Sequence, residues 1–429
     1  MKHRTLLLAA GFLAGVGVAL VFFFGFRLWQ VRSAYLDLAN PHPSVRAEAI
    51  WRLVVAPDRR YAQQLAERLV DDDQEVRLAA AFALIRLEKE AIRPILEVLK
   101  RVSEEEAKHP RRPYHFLPGD FFRHPSEAVQ FILAGIARKA DGARAVARLL
   151  ESSDPVESSA AQQALRKVGP SVLPILMTYL REGRRDLRLR VIHIIGSFGD
   201  AGVDPLSQMI GEPNAKTETA LDQETRQMAV FALGDTKSDR ALPILERCLK
   251  DPMLEPAAWD AIARLRTKKS VAFLEQEAKK IQNEKPPSPS FVRALGTSNQ
   301  RKFADLVLRF LRSPDDRIVE AAAYSAGQLQ VKEAVPQLLR LLASGKASLV
   351  TTAALSLAQI REPRTLSALT ALLRHPDHSV KSASLIAIQS LADRTALREV
   401  EALAQDPKVP DYLRSQAQSV AQFLREQAP

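Results

Sequence analysis

The sequence predicts an all-α fold: an α-solenoid of about twelve helical hairpins, preceded by one transmembrane helix. Three observations predict it: an apolar pattern that returns about every thirty-one residues, prolines placed to open a second helix, and one long uncharged stretch near the start. The residue that opens each alanine-rich helix serves as an index, and falls at Val45, Val76, Ala128, Val156, Leu187, Thr225, Ala257, Pro287, Ile318, Leu349, Val380 and Tyr412. Nine of the eleven intervals are 28–32 residues, and the other two, 52 and 38, contain insertions. A fixed period of this size marks stacked units, none of which buries its apolar face alone.

Each element follows from that register. Eight residues after every index stands an apolar residue, from Leu53 and Leu84 through to Val420, and four after it seven repeats have alanine. Offsets of zero, four and eight trace one face of a helix, where small residues allow close packing. Eighteen after the index stand Pro94, Pro174, Pro205, Pro243 and Pro336. Proline suits the first turn of a helix and breaks its interior, so each opens the second helix of a hairpin. Asp73, Asp154, Asp186, Asp251, Asp316 and Asp377 stand where an acidic side chain caps the first helix. Arg46, Arg77, Arg188, Arg226 and Lys381 directly follow the index and are expected to make Asp–Arg contacts between neighbouring repeats.

The start of the chain reads differently. Residues 1–4 form a tail, 5–29 a transmembrane anchor, 30–40 a juxtamembrane linker, and 41–429 the repeats, with insertions at 102–125 and 211–221. Leu6 to Phe26 is uncharged; as a helix it reaches roughly 30 Å, the thickness of a hydrocarbon core. It exceeds the roughly 7–15 apolar residues of a secretory signal, so an uncleaved anchor is expected. Trp29 sits where an interfacial ring belongs. Lys2 and Arg4 with the terminal amine, against Arg27 and Arg32, favour a cytoplasmic tail. The expected location is the bacterial inner (plasma) membrane, single-pass, with the repeats extracytoplasmic. Gly11 and Gly15 form a small-xxx-small pair, which makes a homodimer through the anchor a secondary expectation.

Composition narrows the classes. A single cysteine, Cys248, excludes a disulfide framework and a cysteine-rich metal site. A formal charge of +11 over 429 residues is too mild to signal nucleic acid by itself.

The stretch DQEVRLAAAFAL (Asp73 to Leu84), followed by proline-led leucine helices at Pro94-Ile95-Leu96 and Pro243-Ile244-Leu245, resembles the short HEAT-like repeats of the phycobilin-lyase type. The resemblance covers about residues 41 to 424. It implies a stack whose second helices line a concave surface, a surface that serves scaffolds, lyase chaperones and a few enzymes alike.

On such a surface the last turn of the second helix falls 25 residues after the index, at Arg101, Arg181, Lys250, Arg312 and Arg374, with Arg247, Arg309 and Arg340 one turn earlier. These cations predict a stripe for an acidic segment of another protein, although each also complements its own helix dipole. The longer insertion carries Arg111, Arg112, Tyr114, Phe116, Phe121 and Phe122, residue types that dominate interfaces. The expected partners are therefore a protein and, through the anchor, the lipid bilayer.

Chemistry leaves little trace. His109, His115 and His124 with Asp120 match no ligand spacing, and read as surface groups. His375 and His378 flank a helix start at Asp377, and His193 reads as a core histidine. None of the eight histidines precedes a glutamate, so the metal site of the HEAT-repeat deoxyhypusine hydroxylases does not carry over. No phosphate loop, metalloprotease or nucleophile motif is found, so no cofactor and no enzyme activity are expected. Nucleic acid is not the expected partner, because Glu182 and Asp186 interrupt the arginine run from Arg181 to Arg190. A membrane-anchored interaction scaffold is the leading reading. A lyase- or hydroxylase-like enzyme or accessory protein is the alternative, and a nucleic-acid-binding solenoid is the second alternative.

Overall fold

The computed structural model describes residues 32–109, 120–182, 184–211, 220–281 and 287–426. Those residues contain helices and no strand. The anchor residues Leu6, Gly11, Gly15, Phe26 and Trp29 lie outside them. Among the described residues no helix is long and apolar enough to cross a membrane.

The chain divides into two compact units, one ending at Phe198 and the other beginning at Gly199. In the first, the opening helices of successive repeats are α1 (Pro43–Val55), α3 (Gln74–Leu87), α5 (Pro125–Ile136), α7 (Pro155–Val168) and α9 (Arg185–Gly196). Between them run the second helices α2 (Ala62–Glu67), α4 (Ile92–Lys108), α6 (Ala140–Arg148) and α8 (Leu173–Glu182). The second unit continues the alternation. Its even-numbered helices are α10 (Asp200–Ile210), α12 (Leu242–Cys248), α14 (Lys268–Ile281), α16 (Ala304–Phe310), α18 (Val335–Leu341), α20 (Leu366–Ala371) and α22 (Leu397–Gln405). Its odd-numbered helices are α11 (Ala220–Asp235), α13 (Glu255–Leu265), α15 (Pro289–Thr297), α17 (Asp316–Gln328), α19 (Ala347–Ile360), α21 (His378–Leu391) and α23 (Asp411–Glu426). Within each unit every odd-numbered helix packs on the next odd-numbered one, and the even-numbered helices cover them as a second layer.

The register survives contact with the structure. All twelve residues at offset eight, Leu53 to Val420, are at most 2% exposed. The last repeat is displaced by one: Tyr412 is 61% exposed, while Leu413 and Ala417 carry the burial. α23 begins at Asp411, two residues before Leu413, as α3 begins two residues before Val76, so the index there is Leu413.

The proline rule holds with one exception. Pro174, Pro243 and Pro336 stand in the first two positions of α8, α12 and α18, and Pro94 is the third residue of α4. In each case a 3-10 turn precedes the helix. Pro205 instead lies inside α10, because that helix starts directly at Asp200 after the positive-φ Gly199.

The capping rule holds at half of its positions. Asp73, Asp154 and Asp377 accept hydrogen bonds from the first free amides of α3, α7 and α21. Asp186 and Asp316 lie within the first turns of α9 and α17, where they face the dipole without capping, and Asp315 is the cap of α17. Asp251 precedes α13 by four residues and accepts from the Met253 amide at 3.0 Å.

The insertion assigned to residues 102–125 is partly helix. Residues 102–108 prolong α4, with Val102 fully buried, because Ser-Glu-Glu-Glu-Ala-Lys has high helix propensity and no stop signal. Likewise Ala220 and Leu221, assigned to the shorter insertion, begin α11.

Candidate functional site

The arginines after the index clamp the loops between repeats. Arg46 donates to both carboxylate oxygens of Asp71, at 3.0 and 2.6 Å, and to the carbonyls of Asn40 and Pro41 at 2.8 and 3.1 Å. Arg77, with a side chain only 2% exposed, donates to the carbonyls of Asp71 and Asp72 at 2.7 and 2.8 Å and to the Asp120 carboxylate. Arg226 reaches the Ile210 carbonyl at 2.7 Å and Asp251 at 3.5 Å. Each therefore holds the loop entering its own helix and the loop entering the next. These groups form the joints of the stack and are not a positive ridge.

The cations of the second helices behave differently. Arg247, Lys250, Arg309, Arg312, Arg340 and Arg374 all stand exposed, on α12, α16 and α18 or in the turns after α12, α16 and α20. Among the described residues none of the six makes an ion pair, and Arg340 only touches the Pro336 carbonyl of its own helix at 3.3 Å. The register adds a residue overlooked at the level of sequence. Lys279 lies 22 residues after Ala257, on α14, and is exposed as well. Five consecutive even-numbered positions thus carry a cation at one register face. The two cations assigned to the first unit are less available. Arg101 is engaged with both oxygens of Glu67, whose carboxyl it holds below its usual range. Arg181 is exposed and lies 3.4 Å from the Met177 carbonyl.

The first unit has a cleft of its own, about 730 Å³, between α6, α8 and the start of α9. Arg144, Arg148 and Arg184 rim it, Ile175 and Leu187 supply apolar lining, and Tyr179 stands beside Glu151. Burial first, and the Glu151 carboxylate second, push the Tyr179 hydroxyl above its ordinary value. Arg190, further along the arginine run, turns inward to the Leu150 and Ser152 carbonyls at 2.5 and 3.4 Å. Arg190 is thus spent on structure.

Of the long insertion, Arg111, Arg112, Tyr114 and Phe116 lie outside the described residues. Phe121 is 59% exposed. Phe122 is 4% exposed and packs edge-on to Phe121 and Phe131, which makes it a core residue and not the contact residue expected. His124 is a cap: its Nδ1 accepts from the Ser126 amide at 3.1 Å and its Nε2 lies 2.7 Å from Glu106. His193, expected in the core, is exposed, because α9 buries Ile192 and Ile194 on either side of it. Among the described residues no group of three His, Cys, Asp or Glu side chains is arranged to hold a metal. Cys248 is buried and its thiol is pushed up to about 11 by that burial, which makes it a core side chain without nucleophilic character.

Fold and register together define an α-helical repeat protein. The family model for HEAT repeats matches residues 214–283, 290–358 and 351–421, all in the second unit. An uncharacterized phycocyanin operon protein Z of Pseudanabaena tenuis is 22% identical over 206 residues, 48% of this chain and 94% of that protein. Among solved structures, the CpcE–CpcF complex of phycocyanin lyase from Nostoc sp. PCC7120 has a chain 22% identical, with a TM-score of 0.37, over 59% of this chain and 94% of that one. The Kap95:Nup1 complex has a chain 10% identical, with a TM-score of 0.43, over 95% of this chain and 65% of that one.

Proposed function

We propose that the chain is a membrane-anchored scaffold that binds an acidic segment of another protein along the exposed face of its even-numbered helices. One observation carries the reading: from α12 to α20 consecutive repeats each present a cation at offset 22 or 25, exposed and outside any ion pair among the described residues. An extended acidic strand meeting cations at this repeat spacing gains charge complementarity at each step, with modest energy apiece. The anchor is the uncharged stretch Leu6–Phe26, and the positive-inside comparison supports an extracytoplasmic repeat domain. The reading assigns no catalysis and no cofactor to the chain.

The test is recovery of cross-linked partners from native membranes by the full chain and by the double variant Arg309→Glu/Arg312→Glu. Both residues are exposed, so the fold is retained, and recovery should fall roughly tenfold or more. Unchanged recovery removes the stripe from the reading.

A lyase-accessory role is a second reading, supported by the sequence likeness to the phycocyanin operon protein. Copurification of a visibly absorbing bilin with the chain would favour it over the scaffold.

A further inference from the structure

The exposed large apolar side chains of the described residues are unevenly placed. Tyr35, Leu36, Trp51, Val55, Phe82 and Phe121 all belong to the first unit, whereas the longer second unit has only Met253, Ile386 and Tyr412 among its described residues. Several of the former join into one feature. Trp51 stacks on Phe82 at 5.8 Å, Phe82 meets Phe131 edge-on at 5.9 Å, and Phe131 meets Phe121 edge-on at 5.7 Å. The ladder crosses α1, α3 and α5 in succession. Val55, one turn along α1 from Trp51, lies beside it at 73% exposure, and Trp51 and Phe82 keep 38% each. The ring contacts order these side chains without covering them, and exposed apolar groups that adjoin in this way mark a place where something else lies.

We propose that this ladder rests in the interfacial layer of a phospholipid bilayer, so that the first unit lies on the membrane instead of standing away from it. The proposal builds on the reading of Leu6–Phe26 as an anchor. From Phe26 to Arg32, where the described structure begins, there are six residue steps, which span at most about 20 Å. Residues 32–37 are helical, and Asp37 there pairs with Arg52 at 3.9 Å. Arg52 is the neighbour of Trp51, so a chain leaving the bilayer enters the fold beside the ladder. Tryptophan and other aromatic rings favour the water–lipid interface, where an apolar body and a polar edge are both satisfied. Arg86, one turn along α3 from Phe82, is an exposed cation suited to anionic headgroups.

The chain has three tryptophans, Trp29, Trp51 and Trp259, which makes a direct test possible. Full-length variants that each keep one of them, with phenylalanine at the other two positions, are placed in phosphatidylcholine–phosphatidylglycerol vesicles. The lipids are brominated near the headgroup end of their acyl chains. Trp51 emission should fall roughly twofold on bromination, as expected for a ring at interfacial depth. The Trp259 variant should be unaffected and serves as the folding control, since Trp259 is buried against Phe291. Quenching of Trp29 without quenching of Trp51 would overturn the proposal and leave the anchor standing. Quenching of neither would overturn both. A blue-shifted but unquenched Trp51 would mean that a second copy or another protein covers the ladder, and would also overturn it.

Discussion

The two units repeat one sequence pattern and hold their helices together in different ways. In the second unit Gly234, Gly296 and Gly327 all stand nine residues after the index. A Cβ at these positions would lie 2.6–2.8 Å from the backbone of the following odd-numbered helix, at Ala261, Ser325 and Ser356. Backbones there come into direct contact, close enough for the Ser325 hydroxyl to donate to the Val292 carbonyl at 2.7 Å. The first four repeats of the first unit have Val54, Ile85, Ala137 and Leu165 at the same offset, so a side chain stands where the second unit has glycine at three positions. Arg46 and Arg77 clamp the loops of the first unit, and aromatic rings meet across its α1, α3 and α5. Closeness makes the second unit regular, and it is the regular unit that the HEAT-repeat model matches. The first unit carries the longer insertion, a cleft and the uncovered rings.

The sharpest way to break this contrast is Arg77→Ala. It strips a buried joint of its cation and removes one donor from Asp120 and from two loop carbonyls, so the first unit should lose about 3–5 kcal/mol. Urea unfolding followed by Trp51 should shift strongly, while Trp259 emission should report a second unit unchanged; equal shifts would show that the two unfold together. A smaller loss is expected from Gly296→Val, which forces a branched side chain into a backbone contact. About 1–3 kcal/mol should disappear from the transition seen by Trp259, with none from that seen by Trp51.

The smallest effect concerns a polar strut in the first unit. Lys100 on α4 lies 2.5 Å from Glu157 and 2.9 Å from Asp154 at the start of α7. Glu157 and then Asp154 hold the Lys100 ammonium up, to about 12, and Lys100 holds both carboxyls below their ordinary values. The lysine contribution is therefore complete below 10.5 and lost as pH rises through about 12. The carboxylate contribution is complete above the ordinary 3.8 and 4.5 and lost as pH falls through the depressed values. Because the groups are partly exposed, Lys100→Met should cost at most about 1 kcal/mol at neutral pH. The difference from wild type, measured by urea midpoint, should vanish in strong acid.

Much of the fold was legible because the signal was one of period. Apolar residues at offset eight had no alternative to burial, and the prolines could open a helix but not sit comfortably in one. Less visible were the turns that end the odd-numbered helices. Twelve residues after the index, Glu88, Lys237, Asn299, Gln330, Arg361 and Ala392 all have positive φ. Only the asparagine is a residue type that announces this conformation, so packing of the following turn imposes it against local preference. The candidate site was legible in part. The cations of the second unit follow the register and were found with it, Lys279 excepted. The aromatic ladder was missed because Trp51 and Phe82 stand at offset six, Phe131 at offset three, and Phe121 seven residues before its index. Only Trp51 and Phe82 share an offset, and nothing in the spacing marks Phe131 and Phe121 as their neighbours.

The sequence by itself determined that the chain is a stack of helical hairpins, which face each hairpin buries, and where its cations recur, since all three depend on spacing along one helix. Which arginine becomes a joint and which a surface charge was decided only in three dimensions. The same holds for the glycines that admit a neighbouring backbone and for the rings that meet across α1, α3 and α5. In each case the partner comes from another repeat, and its distance is set by how closely two helices can approach.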